Sequence, residues 1–272
     1  MRTFRILLLI VLTFAVIDLS VIVSRWVSMP HLASGPVPKS RFIRSYLNHR
    51  ARQKWPPLRW HPVALSVIPH TLREAVILGE DGTFYENDGF DPGAILWAAR
   101  YDWHAGHIVF GASTITQQTA KNLFLSPSRT FFRKGNEALL TIALTQFLTK
   151  NRILEIYLDD AQLGKGLYGV EAASRYYFGK PISAIDTREA AELAATLPDP
   201  IASNPATRSW YFRARTAKIL RLLRFTEHRG TQPLLLTHPD KTRSRPQTAG
   251  KHTKTFLQVN KTGAYRGIRT GL

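Results

Sequence analysis

The sequence contains no cysteine, which excludes a disulfide framework, a thiolate nucleophile and a cysteine-ligated metal site. It also lacks a glycine-rich phosphate loop and any His-Glu-x-x-His spacing among its nine histidines. Positive charge, by contrast, is abundant: 37 Lys and Arg face 19 Asp and Glu, for a net charge of +18 in 272 residues. Such an excess is typical of a protein that meets a nucleic acid, an acidic membrane surface or a phosphorylated substrate.

The excess charge lies in two flanks of the chain. Residues 25–70 contain eight Lys or Arg and no acid, and residues 228–272 contain nine and one acid. Residues 71–227 contain 18 basic and 17 acidic residues and are nearly neutral. A nucleic-acid-binding domain more often has the excess on its folded body, so we expect no nucleic-acid partner. The flanks are better suited to anionic membrane lipids.

The N-terminal segment is the main apolar run of the sequence. Residues 6–23 are apolar except for Asp18 and small hydroxyl side chains, a length that suits a membrane span. A cleaved signal peptide is the alternative, but the run is longer than a typical signal core and no Ala-x-Ala-like site follows closely. The sequence therefore favours an uncleaved anchor at 6–24 after a cytoplasmic tail at 1–5. The positive charges on both sides leave its topology open.

The rest of the chain divides into three parts. Residues 25–70 contain seven prolines and predict an extended basic linker with one short helix around 41–54. Residues 228–272 are polar and predict a basic, flexible tail. Residues 71–227 show helical apolar spacing and few alternating patterns, so the predicted fold class is mainly α. The predicted helices are 72–80, 95–103, 114–125, 136–158, 188–197 and 210–224. The fourth of these is predicted with or without a break near Lys150.

Two adjacent carboxylates form the first candidate site. Glu80 and Asp81 lie at a predicted helix end and are followed by glycine and aromatic residues. An apolar wall beside a carboxyl group raises its pKa and suits it to proton transfer. A solvated acidic turn is the alternative.

The second candidate lies in the run GASTITQQTAKN. On a helix, Gln117 and Gln118 share a face with Lys121, and the helix N-terminus with Ser113 and Thr114 offers donors to an anion. The spacing of Thr114 and Gln117 also fits a capping box. A polar helix surface is the alternative.

The third candidate is a group of cations. Lys121, Arg129, Arg133 and Lys134 precede Glu137, and together they could bind a diphosphate and stabilise its departing charge. Taken alone, this group is better explained as a solvated basic loop.

The three candidates, followed by residues 150–158 and 169–180, resemble in order the five motifs of the peptidoglycan glycosyltransferases (glycosyltransferase family 51), in their monofunctional biosynthetic form. The similarity spans roughly residues 70–225, and no Ser-x-x-Lys motif of a transpeptidase follows it. Three positions depart from the family pattern. Asn87 replaces a usual histidine, Asp159 replaces an asparagine, and Gln162 stands where an acid is common.

The resemblance implies a lysozyme-like α fold, anchored by one helix in the bacterial inner membrane with its catalytic domain in the periplasm. It implies transfer of a growing glycan chain from undecaprenyl pyrophosphate to the sugar hydroxyl of lipid II, with inversion. Glu80 would be the general base and Glu137 would assist the leaving diphosphate. The implied substrate-binding residues are Asp81, Ser113, Thr114, Gln117, Gln118, Lys121, Asn122, Arg129, Arg133 and Lys134.

The resemblance allows, without requiring, a divalent cation (Mg²⁺ or Mn²⁺) at the pyrophosphate and partners among other cell-wall synthesis proteins. Apolar residues 103–110 and 131–132 are expected either to face the membrane or to pack in the core. Two alternative functions are weaker. A lytic murein hydrolase needs no diphosphate site, so Lys121 and Arg129 argue against it. An inactive membrane-anchored scaffold would not need Glu80 and Glu137.

Overall fold

The structure is a computed structural model that describes residues 2–105, 113–127, 131–228, 256–259 and 265–268. The chain forms two compact units, Met1–Leu235 and Leu236–Leu272. The described part of the first unit is mainly helical, which confirms the predicted class. Its α-helices are α1 (Arg2–Ser28), α2 (Arg41–Gln53), α3 (His70–Glu80), α4 (Pro92–Ala105), α5 (Ile115–Phe124), α6 (Phe131–Phe147), α7 (Lys150–Asp160), α8 (Val170–Phe178), α9 (Thr187–Thr196) and α10 (Trp210–His228).

Side-chain caps define where several of these helices begin. The Thr114 hydroxyl accepts the Gln117 N–H at 3.1 Å, and the Gln117 side chain accepts the Thr114 N–H at 3.0 Å, which confirms the capping box. Thr149 accepts the Arg152 N–H at 3.2 Å and so begins α7. Because Thr149 is non-helical, the predicted 136–158 helix is divided into α6 and α7, which decides for the break near Lys150 that the sequence left open.

The core of the first unit positions the candidate site. Helices α3, α9 and α10 pack together, and α5 packs against both α6 and α7. Leu72, Ile115, Leu144 and Tyr157 are almost fully buried between them. A small sheet completes the unit in the order β1 (Arg59–Trp60), β3 (Leu167–Tyr168), β2 (Gln162–Gly164), with β1 parallel and β2 antiparallel to β3.

The prediction of an extended linker at residues 25–70 is wrong, because this segment packs on the helical body. Helix α2 confirms the one predicted helix, but Ile43 and Ile68 are buried. The Arg152 guanidinium donates to the carbonyls of Leu32 and Gly35 at 2.7 and 2.8 Å. This segment is rich in proline and positive charge. Its few buried apolar residues are widely spaced, so they form no periodic pattern that would predict packing.

Helix α1 covers the predicted anchor. Asn136 of α6 donates to Asp18 at 2.9 Å and Ile22 is buried, so the second half of α1 lies against α6. Many of the remaining large apolar side chains on α1 are exposed: Phe4, Ile6, Leu9, Leu12, Val16, Leu19, Val21, Val23 and Val27. Among the residues that the structure describes, no helix meets the length and hydropathy expected of a membrane span.

The second unit includes an antiparallel pair of strands, β4 (Phe256–Val259) and β5 (Tyr265–Ile268), in which Phe256 lies opposite Ile268. The segment predicted as a flexible tail therefore contains regular structure. Two four-residue strands within a polar, basic composition are too short for the sequence pattern to indicate.

Candidate active site

Glu80, the predicted general base, is the last residue of α3, and its side chain is only 11% exposed. Its Oε1 accepts the Arg215 guanidinium at 2.5 Å, and its Oε2 accepts the Gln118 side-chain amide at 2.9 Å. Burial raises the pKa of Glu80, while Arg215, Gln118 and Lys121 oppose that rise. A raised pKa makes this carboxylate a better proton acceptor near neutral pH.

Asp81 joins the first and second motifs. Its Oδ2 accepts the backbone N–H of Ile115 at 3.0 Å, at the start of α5, and its Oδ1 accepts the Asn87 amide at 2.9 Å. Burial raises the pKa of Asp81, against the stabilising effects of the Ile115 N–H and Lys150. Because both oxygens are bound by fixed donors, Asp81 holds the loop that follows Glu80 in place.

Asn87 occupies the position where the family resemblance led us to expect histidine. Its amide nitrogen donates to Asp81, and its amide oxygen accepts from Lys150 and from the Gly89 N–H, both at 3.0 Å. The asparagine therefore bridges Asp81 and Lys150 with one donor and one acceptor. The Lys150 ammonium also lies 4.7 Å from the centroid of the Phe84 ring.

The two glutamines of α5 have different surroundings. Gln118 donates to Glu80, and its oxygen accepts the Tyr157 hydroxyl at 3.2 Å. Burial keeps the pKa of Tyr157 well above 10, so this phenol stays a neutral donor. Gln117 is buried, and its side chain forms the capping box with Thr114 at the start of α5. Gln118 is therefore the glutamine that contacts Glu80.

Glu137, the second predicted catalytic residue, is 2% exposed on α6. Its Oε2 lies 2.7 Å from Arg133, one turn earlier, and its Oε1 pairs with Lys134. The Lys134 ammonium also reaches the Ser113 hydroxyl at 3.3 Å. The third motif therefore forms a compact unit in which a buried carboxylate orients two cations.

Lys121 connects the two glutamates. Burial lowers the pKa of its ammonium, and the charges of Glu137 and Glu80 both oppose that change, so the lysine is within electrostatic reach of each. Arg133 and Lys134 lower its pKa further. A buried cation with neighbouring like charges favours an anionic ligand that would relieve their repulsion. Arg129, the fourth predicted cation, lies outside the described residues.

The neighbouring residue Asn122 lies near a buried carboxylate that the motifs did not indicate. Asp160 is 2% exposed, and the side chains of Ser40 and Asn122 are placed to donate hydrogen bonds to its carboxylate. Burial raises the pKa of Asp160 to about 7, opposed by nearby Ser40, Asn122 and Lys121. Asp159, which replaces the family's usual asparagine, accepts the Val63 N–H with both oxygens, at 3.1 and 3.2 Å.

Sequence reasoning missed Arg215 and Tyr157, although both contact the site. Arg215 lies on α10, where its guanidinium also donates to the Gly79 carbonyl at 2.9 Å. Nothing in the pattern distinguishes Arg215 from the other arginines of α10. Tyr157 lies in the fourth motif, where the resemblance marked the stretch but not the hydroxyl.

The described residues of the candidate active site offer no ready set of ligands for a divalent cation. Among the described residues, no group of three or more His, Asp or Glu is placed to hold a metal ion. The oxygens of Glu80 and Glu137 contact Arg215, Gln118, Arg133 and Lys134, so neither carboxylate fits a metal while these contacts exist.

The helical fold, the buried glutamate and the neighbouring cation cluster with a second glutamate define a class of enzyme that transfers a group away from an anionic leaving group. Residues 44–224 match the family model described as transglycosylase. The chain therefore belongs to the transglycosylase family, which confirms the resemblance inferred from the motifs.

Curated relatives agree with this assignment. A biosynthetic peptidoglycan transglycosylase of Pseudomonas putida (strain GB-1) is 42% identical over 204 residues, which cover 74% of this chain and 82% of that protein. Proteins with the same name from Shewanella frigidimarina and Burkholderia vietnamiensis are 47% and 46% identical over 162 and 154 residues. The Shewanella match covers 59% of this chain and 71% of the relative, and the Burkholderia match covers 57% and 63%.

Proposed function

We propose that this protein polymerises the glycan chains of peptidoglycan. It transfers the growing chain from undecaprenyl pyrophosphate to the sugar hydroxyl of lipid II, with inversion. The observation that supports this most is Glu80, a buried carboxylate of raised pKa, linked through Lys121 to the cations around Glu137. The names of the curated relatives support peptidoglycan as the substrate class.

In the proposed reaction, Glu80 accepts the proton of the attacking hydroxyl while the oxygen attacks the anomeric carbon of the donor chain. The bond from that carbon to the diphosphate oxygen breaks on the opposite face, and the electron pair leaves with the diphosphate. Arg215 and Gln118 hold Glu80 by side-chain contacts, and an incoming hydroxyl can exchange with one of them.

The leaving group determines the role of the cations. Negative charge grows on the diphosphate during bond cleavage, so fixed cations stabilise the transition state more than the ground state. Lys121, Arg133 and Lys134 are placed to do this, and Glu137 keeps the last two oriented. Arg129 is proposed to join them, and Ser113 and Asn122 lie beside members of the cluster.

The membrane arrangement forms part of the proposal. Residues 6–24 would be a single-pass anchor in the bacterial inner membrane with the catalytic unit in the periplasm, where a lipid-linked substrate can reach it. The exposed apolar side chains of α1 support this. Exposed apolar side chains on α4 and α6 would extend the same surface: Ile95, Leu96, Trp97, Tyr101, Phe132, Leu139, Ile142 and Phe147. The basic flanks would bind anionic headgroups, each cation by about 1 kcal/mol.

The test is polymerisation of lipid II by the purified full chain in detergent, with the products separated by gel electrophoresis. We expect long glycan from the wild type and at least a hundredfold slower polymerisation from Glu80→Gln, because the amide cannot accept the proton. Glu86→Gln, a change at an exposed carboxylate in the same loop, is the matched control and should retain activity.

Two results would separate the possible failures. A folded wild-type protein that makes no polymer would refute the function, and release of soluble fragments from isolated peptidoglycan would then favour the lytic alternative. Normal polymerisation by Glu80→Gln would refute only the role of this residue.

A further inference from the structure

One charged side chain interrupts the apolar run of helix α1. Asp18 is the only ionisable residue in the stretch 6–23. In the proposed membrane arrangement such a residue is costly, and residues of this kind almost always pair with a specific partner. The partner here is Asn136 of α6, whose amide donates to the Asp18 carboxylate at 2.9 Å although the two residues are 118 positions apart. Asp18 is therefore a point at which the predicted anchor is bonded to the helical body.

A second attachment fixes the C-terminal end of α1. Met29, directly after the helix, is fully buried. A few residues further on, the Arg152 guanidinium donates to the carbonyls of Leu32 and Gly35. The last part of α1 is therefore held against the helical body at both of its ends, and Asp18 has a fixed place relative to α6.

The partner of Asp18 lies in the turn of α6 that carries the proposed diphosphate site. Arg133 and Lys134 precede Asn136 by three and two residues, and Glu137 follows it directly. Glu137 is the buried carboxylate that orients both cations. A hydrogen bond at Asn136 therefore restrains the stretch of backbone that carries all three of these groups.

This turn contains a glycine that packing does not require. A Cβ at Gly135 would meet no described atom within 4 Å, and glycine inside a helix lowers its stability because the backbone loses more freedom on folding. The turn also lies near the start of α6, where the first N–H groups have no partner within the helix. Its local propensity is weak, so contacts from other elements matter more here. Two such contacts are Asp18 with Asn136 and Ser113 with Lys134.

We propose that Asp18 is a positioning residue for the diphosphate site, because through Asn136 it holds the turn of α6 that carries Lys134 and Glu137. The anchor helix is then a part of the donor site as well as an attachment to the bilayer. This inference rests on the proposed function, in which these cations bind the diphosphate of the lipid-linked donor.

The proposal requires a hydrogen-bond acceptor at position 18. The side-chain oxygen of an asparagine there would accept the Asn136 amide, whereas a leucine would not. A role of Asp18 in membrane insertion alone makes the opposite prediction, because leucine is the more favourable residue in a bilayer. Asp18→Asn and Asp18→Leu therefore separate the two explanations.

The test is binding of farnesyl diphosphate, a lipid diphosphate without a sugar, to the full chain in detergent, measured by calorimetry. We expect Asp18→Leu to weaken binding about fivefold, the loss that one hydrogen bond accounts for, and Asp18→Asn to retain the affinity. Ser20→Leu is the matched control, because it adds the same side chain to α1 at an exposed serine whose hydroxyl donates to Val16 of the same helix. Gly135→Ala, combined with Asp18→Leu, should restore part of the lost affinity, because alanine stiffens the turn.

The outcomes separate this positioning role from the polymerase. Equal affinity of Asp18→Leu and the wild type for the diphosphate would overturn the inference, whatever the polymerisation assay shows. An equal loss in Ser20→Leu, or no rescue by Gly135→Ala, would also overturn it, because the effect would then not pass through the turn of α6. Weaker binding in Asp18→Leu that Asp18→Asn retains and Gly135→Ala partly restores would support it. The same pattern in a protein that makes no polymer would refute the polymerase alone.

Discussion

The buried carboxylate of Asp160 should make the protein less stable as the pH rises from 3.8 to about 7, and Asp160→Asn should remove that effect. Its pKa is about 7 in the folded protein against 3.8 for an unperturbed aspartate. Burial is the main cause, and donors on Ser40 and Asn122 together with the charge of Lys121 oppose it only in part. Burial also raises the pKa of Asp159 beside it to about 7, with the charges of Glu155 and Asp160 contributing.

The sign follows from proton linkage. Because the pKa is higher in the folded state, unfolding releases a proton between pH 3.8 and about 7, and stability falls as the pH rises through that window. Below the window the residue is protonated in both states and has no effect. Above the window the full penalty applies. A shift of this size corresponds to at most about 4 kcal/mol, and Lys121 nearby already offsets part of the penalty of burial.

The assay is thermal unfolding of the full chain in detergent, followed by circular dichroism between pH 4.5 and 8. We expect Asp160→Asn and the wild type to unfold at similar temperatures at pH 4.5. At pH 8 the variant should unfold roughly 5–10 °C higher, since about 1 kcal/mol moves the midpoint of such a domain by 2–4 °C. Asp88→Asn, at an exposed aspartate, is the control and should show no such divergence. A variant that is equally destabilised at both pH values would show that hydrogen bonds to Asp160 from Ser40 and Asn122 outweigh the penalty of burying its charge.

Two further changes test the surroundings of the base. Arg215→Met removes the cation that opposes the raised pKa of Glu80, so the acid limb of the pH–rate profile should move to higher pH. The rate near pH 6.5 should fall at least tenfold, and Arg215→Lys should restore part of that rate. A pH–rate profile that does not move would contradict the pairing of Arg215 with Glu80. Gly89→Ala should destabilise the protein by about 1–3 kcal/mol in chemical denaturation, because Gly89 has φ +91° and a Cβ there would lie 2.9 Å from two threonine methyl groups of α6. Gly82→Ala, where a Cβ meets nothing within 4 Å, is its control, and equal stability of the two variants would refute the steric argument.

The motif positions were predictable because their chemistry is local in sequence. The Thr114–Gln117 capping box depends on a three-residue spacing, and the Arg133–Glu137 pair depends on one helical turn, so both could be inferred without a fold. The contact between Glu80 and Gln118 joins residues 38 apart, so no local spacing indicates it. The family resemblance assigned both residues to one site but did not predict this contact.

The parts that could not be predicted depend on distant packing. Arg215 reaches Glu80 from 135 residues away, and its helix has several equivalent arginines. Helix α8 was also missed. It follows Gly169, whose φ of +79° and close approach to the Asp159 carbonyl are not evident from a short polar stretch. The packing of residues 25–70 likewise depends on single buried side chains instead of a periodic face.

The three carboxylates of the site differ in what binds them, and this difference separates their roles. Asp81 is held by a backbone N–H and an amide that stay fixed while the fold is intact, so it suits a structural function. Glu137 is neutralised by two cations of its own helix, so it suits the ordering of a diphosphate site. Glu80 is buried, and in the described part of the chain its oxygens are bound by side chains of two other helices, Gln118 and Arg215, which substrate can displace. Among these three, Glu80 alone combines a raised pKa with exchangeable partners, which is the combination that a general base requires.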